Sequence, residues 1–150
     1  RRAFEEGLID PNHTFQIGLR GTGYTAEDFD WAREKGFRVI QAEELWHKSA
    51  TPLIDSIRPK MGNFPVYLTF DIDSLDPAYA PGTGTPEIGG LTSVQAIELI
   101  RGCRGMNLVG CDLVEVSPPY DLQGNTALLA ANLIFEMLCV LPGVSFRMDG

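Results

Sequence analysis

Thr69-Phe70-Asp71-Ile72-Asp73-Ser74-Leu75-Asp76-Pro77, continued to Gly90 as Ala-Tyr-Ala-Pro-Gly-Thr-Gly-Thr-Pro-Glu-Ile-Gly-Gly, is the stretch on which the reading of this chain turns. It grows out of Val66 to Phe70, a run that is apolar or aromatic apart from Thr69 and predicts a buried strand. Asp71 and Asp73 stand two apart at its end. On a strand, residues with that spacing share a face at roughly 6.6 Å. Two carboxylates so placed repel and lose hydration unless something positive lies between them. A hard cation such as magnesium, calcium or manganese suits carboxylate oxygens. The plain alternative is an Asp-rich turn whose acids are solvated caps. An EF-hand does not fit: with Asp71 first in the loop, Leu75 and Asp76 fall where an oxygen ligand and a glycine belong, and Gly82 falls where the closing glutamate belongs. The prolines and glycines that follow shape a site wall rather than a simple connector.

Working outward, strands alternate with helices. Residues 14–20 read as a strand. Thr25 is placed to cap a helix through Glu34, with Gly36 as its stop. A strand follows from Phe37 to Ile40, then a helix from Glu43 to about Met61 in which Pro52 implies a kink or a new start. After the acidic loop, Thr92 caps a helix through Cys103, with Gln95 able to complete a capping box. Asn107 to Val116 reads as a strand, and the last helix runs from Asn125 or Thr126 to about Leu141. This alternation predicts an α/β fold: a mostly parallel sheet with helices on both faces, in three layers. Ligands in such folds bind beyond the carboxyl ends of strands. Asp71, Asp73 and Glu115 all fall at such ends.

The chain has 12 basic and 20 acidic residues, a net charge of −8, and is 44% hydrophobic. That is enough for a core, in one domain or part of one. The charge argues against nucleic acid or an anionic membrane surface as partner and suits a cationic ligand. No apolar run approaches the roughly 18 residues of a membrane span. Cys103, Cys111 and Cys139 show no paired spacing, as expected of reduced thiols in an intracellular protein. Residues 1–7 read as the tail of a helix ending at Gly7, which predicts that this is the C-terminal half of something longer.

TFDIDSLDPAYAPGTGTPEIGG resembles the third signature of the ureohydrolase (arginase and agmatinase) family, with matches at Thr69, Phe70, Asp71, Ile72, Asp73, Pro77, Pro81, Gly82 and Gly90. The wider sequence, including GCDLVEVSPPYDLQGNTALLAANLIFEML, is most similar to the agmatinase branch. The resemblance implies an arginase-like three-layer α/β/α domain, of which residues 1–150 form the C-terminal part. It implies two manganese ions per complete subunit, with Asp71 and Asp73 among their ligands. The family's remaining ligands lie in His-bearing motifs (Gly-Gly-Asp-His and Asp-Ala-His-x-Asp) that this chain lacks, so the chain alone is expected to be inactive. Glu115, in Glu-Val-Ser-Pro-Pro, matches the residue that grips the substrate guanidinium, whose paired N–H groups a carboxylate accepts together. Thr85 matches a site-lining threonine. The activity implied is hydrolysis of agmatine to putrescine and urea in a trimeric or hexameric soluble enzyme, mitochondrial or cytoplasmic. Guanidinobutyrate as substrate, or a non-catalytic binding module on the same fold, are the alternatives.

On the residues alone, Glu115 is as readily an exposed strand end and Thr85 an ordinary loop residue. Asp112 reads equally as a group that orients the site or as an acceptor for a backbone amide. His13 and His47 lack any partner at ligand spacing and read as solvated or core histidines.

Overall fold

Among the described residues four strands form, and every pairing among them is parallel, but they make two separate pairs rather than one continuous sheet. The computed structural model describes residues 1–145 apart from Tyr24 and Ala26. In it β1 (Phe15–Leu19) pairs with β2 (Arg38–Gln41), and β3 (Val66–Asp71) pairs with β4 (Leu108–Val114). The expected strand to Val116 therefore stops two residues early, which leaves Glu115 just beyond its end. A four-residue helix, α1 (Arg2–Glu5), precedes β1, with Gly7 at φ +69° after it.

The crossovers follow their punctuation. The helix between β1 and β2, α2 (Glu27–Glu34), is followed by Gly36 at φ +94°, a left-handed conformation that glycine adopts without steric cost. At the expected cap, the Thr25 amide donates to the Asp28 carboxylate at 2.9 Å. Of the kink or new start that Pro52 implies within residues 43–61, the chain takes the new start. A single 3₁₀ turn, Ala42–Leu45, is followed by a fresh helix, α3 (Thr51–Met61). Pro52 sits in the first turn of α3, where its missing N–H has no partner to lose. The helix between β3 and β4, α4 (Ser93–Gly102), carries the expected capping box. The Thr92 amide donates to Gln95 Oε1 at 2.9 Å, and the Gln95 amide donates back to Thr92 Oγ1 at 3.2 Å. The last helix, α5 (Asn125–Cys139), follows Gly124 at φ +73° and ends two residues before the expected Leu141.

Val66 to Phe70 does not form a strand buried on both faces. Phe70 is buried and Val66 and Leu68 are half-buried, but Tyr67 is 60% exposed and Thr69 is exposed as well. The alternation arises because α3, α4 and α5 cover one face only: Ile54, Ile57, Leu99, Ile100, Leu133 and Met137 pack there with Phe70 and Leu108. On the open face the Tyr67 ring lies against Gly110, where a Cβ would come within 2.8 Å of the ring. That approach lets the Tyr67 hydroxyl donate to Asp112 Oδ2 at 2.7 Å, while Thr69 Oγ1 donates to Asp112 Oδ1 at 2.6 Å. Among the described residues, then, Asp112 accepts from neither a backbone amide nor the acidic loop. It ties β3 to β4 side chain to side chain. Among the described residues, no helix is long and apolar enough to cross a membrane.

Candidate metal and guanidinium site

Beyond Asp71 the chain leaves the strand at once. Ile72 to Ser74 make one 3₁₀ turn, anchored by the fully buried Ile72 side chain. Asp73 therefore lies on a turn and does not hold the same-face strand position expected from its spacing. The two acids meet by a different route. The Asp73 amide donates to Asp71 Oδ1 at 2.9 Å, so the first carboxylate shapes the turn that presents the second.

Asp71, Asp73 and Thr85 line one cavity of about 610 Å³, together with Arg20 and Glu87. Thr85 Oγ1 donates to Asp73 Oδ2. Asp73 Oδ1 is buried and has no hydrogen-bond partner among the described residues. A buried carboxylate oxygen without a donor is costly and fits a cation. Burial is the largest cause that pushes the Asp71 carboxyl above its usual range. The Asp73 amide opposes it, the charges of Asp73 and Glu115 add to it, and Arg20 pulls the other way. Hard carboxylate oxygens suit magnesium or manganese. The described residues contain no cluster of three or more histidine, cysteine or carboxylate groups able to hold an ion. The donor set here fits a metal in kind and supplies only part of its shell.

Glu115 lies outside the lining of that cavity. It adopts φ +70°, a left-handed conformation that costs a residue with a side chain about 1–3 kcal/mol. The neighbouring loop holds it there. Thr83 bridges to Val116, the Ser117 amide donates to the Gly82 carbonyl at 2.8 Å, and Thr83 Oγ1 donates to the Glu115 carbonyl at 3.1 Å. The Glu115 side chain is left exposed, close enough for its charge to act on Asp71. Of the four residues named from the sequence, three converge on one cavity and the fourth stands beside it on a fixed, strained corner.

Several residues that shape this loop were not singled out from the sequence. Asp76 accepts from the amides of Ala78 and Gly89 at 2.9 and 2.8 Å and, at 3.3 Å, from Gly90. These amides, Ala78 first, hold its carboxyl below the usual range. Asp76-Pro77 is a turn-initiating pair, which is the clue the sequence offered. Trp46 Nε1 donates to the Gly89 carbonyl at 2.9 Å, and the buried Thr126 hydroxyl accepts from the Gly82 amide at 2.8 Å. The histidines take no part. His13 pairs with Asp10 at 2.6 Å and stacks on Phe64, and His47 is exposed.

Comparison with known proteins bears on this arrangement. A profile of the arginase family matches residues 1–139. Over 147 residues the chain is 69% identical to a guanidinobutyrase of Pseudomonas aeruginosa, a match that covers 98% of this chain and 46% of that protein. It is 62% identical over 144 residues to a mitochondrial agmatinase of Gallus gallus, covering 96% and 42% of the two chains. Among solved structures, the proclavaminate amidino hydrolase of Streptomyces clavuligerus matches with a TM-score of 0.84 at 44% identity, over 92% of this chain and 45% of that one. The chain thus spans a little under half the length of these relatives, 46% and 42% of the two enzymes matched by sequence.

Proposed function

This chain belongs to the arginase family, and on that premise we propose that it forms part of a hydrolase that splits a linear guanidino compound into urea and an amine. The observation that carries the reading is the pair of acids at the end of β3, with a buried oxygen of Asp73 left without a donor. In this reading Asp71 and Asp73 are ligands to a pair of manganese ions whose other ligands come from outside the chain. When bound, the ions supply the Lewis acidity that makes a water nucleophilic near neutral pH. Thr85 fixes the Asp73 carboxylate by its hydroxyl. Glu115 receives the guanidinium, accepting two parallel N–H donors from a backbone corner that does not yield. The net negative charge of the chain favours approach of such a cation.

Two substrates fit this chemistry, and they differ only at the tail. Agmatine, the substrate expected from the sequence, ends in an ammonium; 4-guanidinobutyrate ends in a carboxylate. The higher identity to the bacterial guanidinobutyrase, 69% against 62%, favours the acid. Urea release by the complete, manganese-loaded protein decides between them. We expect turnover of one or both compounds, and its loss together with bound metal in Asp73→Asn. Turnover of neither compound, or an Asp73→Asn variant with two full-occupancy ions per subunit, would contradict the assignment.

A further inference from the structure

Arg20, half-buried, lies just past the end of β1, far in sequence from the acidic loop, yet its guanidinium is set against that loop's backbone. Nη2 donates to the carbonyls of Asp73 at 2.7 Å and Leu75 at 3.2 Å, and also to Glu87. Nε donates to the carbonyls of Glu87 and Ile88 at 3.1 and 3.2 Å, and Nη1 reaches those of Gly18 and Ser74 at 3.4 and 3.5 Å. These are the hydrogen bonds of Arg20 among the described residues, and all of them end on backbone carbonyls. The two ends of the loop, residues 73–75 and 87–88, are thereby drawn to one planar cation. They close over it through a bridge in which the Asp76 amide donates to the Leu91 carbonyl and the Leu91 amide donates to the Ser74 carbonyl, each at 2.9 Å. Gly90 leaves room for this: a Cβ there would stand 2.5 Å from the Asp76 nitrogen and 2.9 Å from Arg20 Nη2.

We propose that Arg20 is the positioning residue of the acidic loop, setting the place of the Asp73 carboxylate before any ligand arrives. A guanidinium can do this because its donors fan out in one rigid plane and its charge does not titrate away. Lysine, with one compact ammonium, cannot span carbonyls on both ends of the loop at once.

The proposal rests on the metal reading above for its functional consequence, but its structural content does not. Hydrogen exchange on the metal-free complete protein tests it first, in Arg20→Lys and Arg20→Met. The Asp76 and Leu91 amides are expected to exchange at least tenfold faster than in the parent protein. The Val66 amide, bonded to the Asn107 carbonyl at 2.8 Å in the β3–β4 ladder, is expected to stay unchanged and so reports that the fold is intact. Calorimetric titration with manganese then follows on the same samples. It is expected to show affinity weakened at least tenfold in Arg20→Lys and further in Arg20→Met. Unchanged exchange at Asp76 and Leu91 overturns the proposal, whatever the metal does. Faster exchange with manganese affinity within threefold of the parent overturns the positioning role. A parent protein that binds no manganese overturns the metal reading instead, and the exchange data still decide whether Arg20 clamps the loop.

Discussion

Thr126 is fully buried in the first turn of α5, and its hydroxyl is the acceptor for the amide of Gly82, itself buried in the acidic loop. Thr126→Val keeps the side-chain shape and removes the acceptor. A buried amide left without one costs about 1–3 kcal/mol. The added methyl recovers about 0.8 kcal/mol at most, and the helix propensities of the two residues are close. The variant is therefore expected to lose about 1–2 kcal/mol. Thr126→Ser keeps the acceptor and loses one buried methyl, about 1 kcal/mol. The two variants are told apart by where the damage falls. In Thr126→Val the strain lands on Gly82, whose carbonyl accepts from Ser117 beside the Glu115 corner. Substrate KM should rise there and not in Thr126→Ser. Equilibrium urea unfolding of the complete protein gives the first quantity, as a midpoint lowered by on the order of 1 M. Steady-state kinetics on the guanidino substrate gives the second. A Thr126→Val protein within about 0.5 kcal/mol of the parent and with unchanged KM refutes the idea that this bond holds the loop to α5.

Three further outcomes follow from the same geometry. Glu115→Gln should lower kcat/KM by roughly tenfold to a hundredfold, because one acceptor becomes a donor facing the guanidinium; metal content per subunit should stay at the parent value, and loss of metal would reassign Glu115 as a ligand. Burial pushes the Cys103 thiol up to about 11, so iodoacetamide at pH 8 should modify Cys111 and Cys139 well before Cys103, as peptide mass mapping will show. The Asp76 carboxyl is held below its ordinary 3.8 by backbone amides, so its contribution to stability is complete above that value and lost as pH falls through the lower, folded one; acid unfolding curves should show this loss in the parent, and Asp76→Asn should be less sensitive over the same range.

The parallel pairing was legible because period and punctuation agreed: Gly36 stops α2, and Thr92 with Gln95 starts α4, where the sequence places them. The break before α3 was legible only as an ambiguity, because Pro52 fits a kink as well as a first turn. The tolerated Pro59 near the end of α3 gave no readable cue. The exposed face of β3 was not legible at all, since Tyr67 and Thr69 are good strand residues whether or not something covers them. The two acids stood out in the sequence because their spacing is local, but the same-face strand geometry read from that spacing does not hold, since Asp73 lies on a turn. Arg20 did not stand out, because its partners lie up to 68 residues away and are carbonyl oxygens, which every residue carries. Glu115 was singled out only by the match of Glu-Val-Ser-Pro-Pro to the family, and its geometry was not legible at all: nothing in its side chain announces φ +70°.

The shape of the acidic loop and the cation affinity proposed for it have separate sources. The shape is complete within this chain. Arg20 gathers the loop's ends, Asp76 ties its beginning to Gly89, Trp46 holds Gly89 from the far side, and Thr126 pins Gly82. None of these contacts uses the carboxylate oxygens that face the cavity, apart from the Asp73 amide on Asp71 and the Thr85 hydroxyl on Asp73. The oxygen left over, Asp73 Oδ1, is what a cation would satisfy. An ion there would relieve the repulsion between Asp71 and Asp73 that adds to the rise in the Asp71 carboxyl. On the proposed metal reading, a loop ordered in advance would spare the metal the ordering free energy on binding and so raise its affinity for whatever donors it finds. The affinity itself must come from further ligands, because two carboxylates alone leave most of the shell of a hard six-coordinate ion to water.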